Sequence, residues 1–240
     1  MGSAQCLECE GIGMRGRLER EGRLERERET WTAVRNLGRA CIMMGSILIP
    51  AVYSAMTDSI QRYLTQEVEI LGRIPLENVE RLLRLLEHAR DERRHVFLFG
   101  NGGSAATASH FACDLGKGTI RNDKPRFRVT ALNDNLPTFS AYANDHGYDR
   151  VFAEPLINLA EKGDLVIAFS GSGNSPNVLR AVEEAKVRGL TTIGFTGFEG
   201  GALKNLVDLA IIVPARNMGH IEDVHLALTH ALCQALALQH

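Results

Sequence analysis

The stretch Phe97–Leu115, FLFGNGGSAATASHFACDL, decides how the chain is read. With the residues just before it, it opens as an apolar run, His95–Phe99, short enough for a buried strand. The run breaks at Gly100-Asn101-Gly102-Gly103-Ser104 and resumes as Ala-rich helical text from Ala105 to Leu115. A strand, a glycine turn and a helix start form an anion site, because backbone N–H groups and the positive end of the helix dipole face one point. Glycine allows positive φ and close approach of a ligand, and Ser104 is placed to cap the helix. A glycine turn also serves strand-to-helix packing alone, so one copy does not settle a ligand.

A second copy follows. Asp164–Val178 reads DLVIAFSGSGNSPNV: an apolar strand, then Ser170-Gly171-Ser172-Gly173-Asn174-Ser175, then Pro176 at a first helical position. Hydroxyls at Ser170, Ser172 and Ser175 can donate beside the backbone amides, which suits the oxygens of a phosphate monoester. The competing reading is a capped, hydroxyl-rich turn, but capping needs one side-chain oxygen and three serines are present.

Three further strand candidates, Phe127–Leu132, Thr191–Phe195 and Leu209–Val213, complete a set of five. Helical text at Val151–Leu159, Pro176–Arg188 and Ile221–Leu238 alternates with them. The alternation predicts an α/β fold: a five-stranded parallel sheet with helices on both faces. Ligands of such sheets sit at the carboxyl ends of the strands, where both loops lie. Asn133 and Asp134 follow another strand at that end, either as an Asx turn or as partners for sugar hydroxyls. Asn144-Asp145-His146-Gly147-Tyr148 reads as a structural loop. Two amphipathic helices precede the sheet between Thr57 and Arg90, the first capped by Asp58 and striped with Ile60, Leu64, Val68 and Leu71, the second opened by Pro75.

Titratable residues collect on the helices after these loops. His110 and Asp114 are four apart and share a face; Glu222 and His230 are eight apart on the last helix, again on roughly one face. Two histidines and two carboxylates can act as acid and base or hold a metal.

GNGGSAATASHFACDL, FSGSGNSPNVLRAVEEAK, TTIGFTGFEGGAL and HIEDVHLALTHALC, in that order, resemble the sugar isomerase (SIS) domain family, on its phosphoheptose isomerase branch. The resemblance runs from about Met56 to the C-terminus, which makes 56–240 a single SIS-type domain and 1–55 an extension. It implies aldose–ketose isomerisation of a sugar phosphate, sedoheptulose 7-phosphate first, through an enediol. It also implies N-terminal helices packed between subunits of a homotetramer. Residue by residue, it implies ligand contacts at Asn101, Gly102, Gly103, Ser104, Asn133, Asp134, Ser170, Gly171, Ser172, Ser175 and Glu222. Asp114 would be the base and His230 the acid, with a divalent metal, zinc first, held by His110, Asp114, Glu222 and His230. Two of these positions depart from the family pattern, which has glutamate where Asp114 stands and glutamine where Glu222 stands. Asp114 is one methylene shorter, which sets its carboxylate about an ångström further from a substrate carbon. A carboxylate at Glu222 beside that of Asp114 would favour a cation between them.

A net charge of −2 gives no reason to expect nucleic acid or an anionic membrane as partner. Five scattered cysteines, odd in number, favour reduced thiols in a cytoplasm over a disulfide framework. Cys6 and Cys9 form one CxxC without a second pair, too few ligands for a zinc knuckle. Arg15–Arg35 is a dense Arg/Glu mixture, a solvated helix or disordered tail, and the apolar run Ile42–Ala55 is too short to span a bilayer. A protein of this fold can also bind a phosphosugar without turning it over, as a regulator; retention of His110 and His230 favours an enzyme.

Overall fold

The structure, a computed structural model, describes residues 48–238. The CxxC motif, the Arg/Glu-rich stretch and the start of the apolar run lie outside the described residues. The chain divides into two compact units, Met1–Leu64 and Thr65–His240. The described part of the first is the opening of helix α1 (Leu48–Leu71). Asp58 therefore sits within a helix that has already run for ten residues and cannot cap it.

The second unit carries the sheet. Helix α2 (Leu76–Asp91) leads into β1 (His95–Gly100), and then come α3 (Gly103–Cys113), β2 (Arg128–Ala131), α4 (Leu136–Asp145) and α5 (Ala153–Leu159). The order continues with β3 (Leu165–Phe169), α6 (Pro176–Val187), β4 (Thr191–Thr196), α7 (Leu203–Leu206), β5 (Leu209–Ile212) and α8 (Met218–Leu238). All five strands pair in parallel, in the order β2-β1-β3-β4-β5. Each strand candidate is present within a residue or two of its expected bounds.

Strand alternation divides the core. Val96, Leu98, Leu165, Ile167 and Phe169 point towards α2, α3 and α8 and bury with Leu82, Leu86, Phe111, Val224 and Leu228. Phe97, Phe99, Val166 and Ala168 point the other way and bury with Phe152, Leu156, Val178 and Val182 of α5, α6 and the turn before α5. The strands are apolar on both faces because helices cover both faces, and this removes the polar alternation of a half-exposed sheet.

Strand order places the site. From β1 the chain goes to β2 on one side and then crosses to β3 on the other, so the connections after β1 and β3 leave in opposite directions and open a crevice between them. Register pairs Gly100 with Phe169, the last residues of both strands. The glycine loop and the serine loop therefore begin side by side.

Candidate active site

Asn101, Ser104, Ser170, Gly171, Ser172, Ser175, Phe169, Met218 and Glu222 line a pocket of about 160 Å³ in that crevice. Ser175 stands at the N-cap of α6 with Pro176 behind it, yet its side chain makes no capping hydrogen bond. It faces Ser170 instead, Oγ to Oγ at 3.2 Å. The hydroxyl is thus available to a ligand, in favour of the phosphate reading over the capped-turn reading. Gly173 holds the loop at φ 66°, a conformation that any other residue would strain. Glu222 is the only ionisable side chain among the described residues lining the pocket. Anion recognition here falls to hydroxyls, amides and the N-termini of α3 and α6.

The first loop differs from expectation in one respect. Gly102, with φ 54°, is the N-cap of α3, and Ser104 lies inside the helix, buried, with its side chain against the pocket. A glycine N-cap leaves the first amides of α3 without a side-chain oxygen to satisfy them.

His110, Asp114 and His230 come together further along α3 and α8. Their facing atoms are His110 Nε2, Asp114 Oδ2 and His230 Nε2. The two ring nitrogens are 2.9 Å apart, and Asp114 Oδ2 is 3.2 Å from His110 and 3.7 Å from His230. Asp114 opens a π-helical turn, Asp114–Gly118, that replaces the last turn expected of α3. Such wide turns re-aim side chains and recur at functional sites. Here the shorter carboxylate reaches both histidines.

Glu222 does not join them. Eight residues of α8 separate it from His230 by about 12 Å of rise, and its carboxylate lies where a Cβ on Gly103 would be. It faces the serine pocket at the N-terminal end of α3, so it does not crowd Asp114, and that ground for a cation is withdrawn. A cation site can still be tested on the remaining three. Tetrahedral ligands at zinc–nitrogen distance stand about 3.3 Å from one another, and the observed separations of 2.9, 3.2 and 3.7 Å bracket that value. Two neutral imidazole nitrogens at 2.9 Å repel unless a proton or a cation lies between them. Two imidazoles, one carboxylate and an open side match a catalytic rather than a structural zinc set.

Asn133 and Asp134 lie across α3. Asn133 Nδ2 donates to Ser109 Oγ at 2.7 Å, and Ser109 also donates to Asp134. Asn133 lines a second cavity, about 250 Å³, with Gly100, Asn101, Leu136, Phe139 and Tyr148. Neither residue lines the serine pocket. Two polar residues were not singled out from sequence. Tyr148 donates to Asn101 Oδ1 at 2.9 Å, so the loop read as structural touches the site. Asn177 exchanges hydrogen bonds with Asn101; nothing in its spacing distinguishes it from a helix-start asparagine.

Burial sets the remaining chemistry of α8. His225, 1% exposed, is pushed down to about 4 by burial, with the Thr196 carbonyl opposing in part. Burial, and then the Asp114 carboxylate, push the Cys233 thiol up to about 12. Both groups are neutral at pH 7 and outside acid–base traffic.

Residues 62–197 match the SIS domain model. The phosphoheptose isomerase of Nitratiruptor sp. is 42% identical over 148 residues, 62% of this chain and 79% of that protein. That of Thermodesulfovibrio yellowstonii is 35% identical over 180 residues, covering 74% and 89%. Among solved structures, phosphoheptose isomerase GmhA from Neisseria gonorrhoeae superposes with a TM-score of 0.70 at 27% identity, over 75% of this chain and 98% of that one. With the two loops, the sheet order and the His–Asp–His cluster already in place, the chain belongs to the SIS domain family, in its phosphoheptose isomerase group.

Proposed function

We propose that the protein interconverts sedoheptulose 7-phosphate and the corresponding aldose, glycero-manno-heptose 7-phosphate. The observation that carries this is the convergence of Asp114 with His110 and His230, one stretch of α3 and α8 away from the serine pocket. The separation leaves room for an extended sugar with its phosphate at one end and its carbonyl at the other. Family membership supports the same reaction.

The phosphate is held by Ser170, Ser172 and Ser175 at the α6 N-terminus, which fixes the far end of the chain. Asp114 turns Oδ2 towards the histidines and keeps Oδ1 to accept the proton on the carbon beside the carbonyl. Electrons move from that C–H bond into the carbon–carbon bond and onto the carbonyl oxygen, which His230 protonates, giving an enediol. The proton then returns from Asp114 to the neighbouring carbon, the other hydroxyl gives its proton back to His230, and the new carbonyl forms. A positioned acid or base contributes about 10²–10⁴-fold to such a transfer. His110, Asp114 and His230 would hold a divalent cation, zinc first, which would supply charge stabilisation to a developing oxyanion in place of the His230 proton when bound. Glu222 and Asn101 meet the sugar hydroxyls, with Asn133 and Asp134 behind the loop.

Self-association as a homotetramer fits the apolar stripe on α1. A cytoplasmic setting fits the scattered cysteines, of which Cys113 and Cys233 are free thiols. No helix among the described residues is long and apolar enough to cross a membrane.

Turnover of sedoheptulose 7-phosphate by the purified protein, with and without a chelator, tests the reading. Activity that chelation removes and zinc restores is the expected result. Activity indifferent to chelator discards the metal and keeps the isomerase. Binding without turnover would make the protein a phosphosugar sensor instead.

A further inference from the structure

Asn177 is the second residue of α6 and is 2% exposed. Its Oδ1 accepts the backbone N–H of Val178 at 3.0 Å, a donor shared with the Ser175 carbonyl at 3.0 Å, and this contact favours the orientation in which the amide oxygen faces Val178. That amide meets the amide of Asn101 in a reciprocal pair. Asn101 Nδ2 donates to Asn177 Oδ1, and Asn177 Nδ2 donates to Asn101 Oδ1, each at 2.9 Å. The Tyr148 hydroxyl donates to the same Asn101 oxygen at 2.9 Å.

A primary amide has two N–H donors and one oxygen with two lone pairs. Asn177 and Tyr148 fill both lone pairs of Asn101 Oδ1, and one of its N–H groups is spent on Asn177. Turning the Asn101 amide over would set oxygen against oxygen and N–H against N–H, because Val178 holds Asn177 in place. One N–H of Asn101 is left for a ligand. Asn101 lines both the serine pocket and the second cavity, so this donor stands on the wall between them.

We infer that Asn177 is a positioning residue: oriented by Val178 N–H and assisted by Tyr148, it locks the Asn101 amide so that this side chain offers the substrate an N–H donor and never an acceptor. The inference rests on the isomerase reading of the pocket and names the oxygen-acceptor end of the sugar phosphate as what Asn101 recognises. It also ties the loop after β1 to the helix after β3, across the crevice where the ligand sits.

The test is a double-mutant cycle between positions 101 and 177. Asn177→Asp keeps the shape and the acceptor for Val178 but replaces the donor by an oxygen facing Asn101 Oδ1. The expected result is a rise in KM of about tenfold with kcat changed by less than about threefold, since the contact holds substrate in ground and transition states alike. In an Asn101→Ala background the same substitution should change KM less than about twofold, because the partner through which it acts is gone. An unchanged KM in Asn177→Asp, or penalties that multiply in the double variant, would overturn the assignment. Thermal midpoints are read alongside, since a merely structural role would lower them in both backgrounds. Should Asn177→Asp fail to fold, Tyr148→Phe asks the same question from the surface. Its expected KM rise of about threefold must vanish with Asn101→Ala, and a rise that persists sinks the proposal. Calorimetric binding of sedoheptulose 7-phosphate separates this from the isomerase reading. A wild-type protein that binds without turnover removes the reaction, while the cycle, now read in Kd, still decides the lock.

Discussion

At the residue scale the site turns on one methylene. With aspartate at position 114, Oδ2 lies 3.2 Å from one imidazole nitrogen and 3.7 Å from the other, leaving no gap for a longer side chain to close. Asp114→Glu is therefore expected to lower kcat, by about 10- to 100-fold, by driving the carboxylate past the position where it meets both rings. Asp114→Asn removes the proposed proton acceptor and is expected to lower kcat by about 10²–10⁴-fold with KM little changed. Steady-state kinetics of both variants decides the matter; an Asp114→Glu enzyme faster than the parent would mean that the aspartate is a handicap the backbone has not offset. Spacing made His110 and Asp114 legible as a pair, because four residues on a helix always share a face. The same rule misleads for Glu222 and His230. Eight residues also share a face, but the rise between them puts their side chains at different stations, one lining the serine pocket and one beside His110 and Asp114.

At the element scale, the order of strands and helices was legible because both faces of the sheet are covered, which makes each strand a short apolar run between turn residues. Helix ends were less so. The start of α3 at Gly103 rather than beyond Ser104, and the π turn after Cys113, depend on tertiary fit against α8 and the sheet rather than on local propensity. The asparagine pair was not legible at all, because 76 residues separate its members. The N-terminus of α6 carries a prediction that divides capping from binding. A capping serine contributes about 0.5–2 kcal/mol to stability, whereas Ser175 makes no such bond. Ser175→Ala is thus expected to leave urea unfolding within about 0.5 kcal/mol of the parent while raising KM several-fold. A stability loss of cap size with unchanged KM would return the loop to the capped-turn reading.

At the scale of the whole molecule, two features reach beyond the site. Along α1, Tyr53, Met56, Ile60, Leu64, Val68 and Leu71 are all exposed, Val68 by 70%, at helical spacing on one stripe. A contiguous apolar stripe of this length marks an interaction surface. With a second copy as its partner, Ile60→Glu together with Val68→Glu is expected to lower the mass measured by light scattering; an unchanged mass would assign the subunit contact elsewhere. The other feature is acid sensitivity, and it comes from His225. This ring sits among Phe169, Phe195 and the Thr196 carbonyl, on the concealed side of the helix that bears His230. Its Nδ1 has no hydrogen-bond partner among the described residues, so a proton gained there would be buried without compensation. Burial holds the folded ring down at about 4 against an ordinary value of 6.5. At pH 7 the ring is neutral in the folded chain and mostly neutral in the unfolded one, so it contributes only a small slope. Between 6.5 and 4 the unfolded chain binds the proton and the folded one does not, so stability falls with pH across that window and the slope vanishes below it. At pH 5 the loss amounts to about 2 kcal/mol. His225→Leu keeps the volume and removes the proton site. Urea unfolding at pH 7 and pH 5 should show the parent losing more stability than the variant by about that amount, and equal losses would show that the ring is protonated in place or that the acid response arises elsewhere.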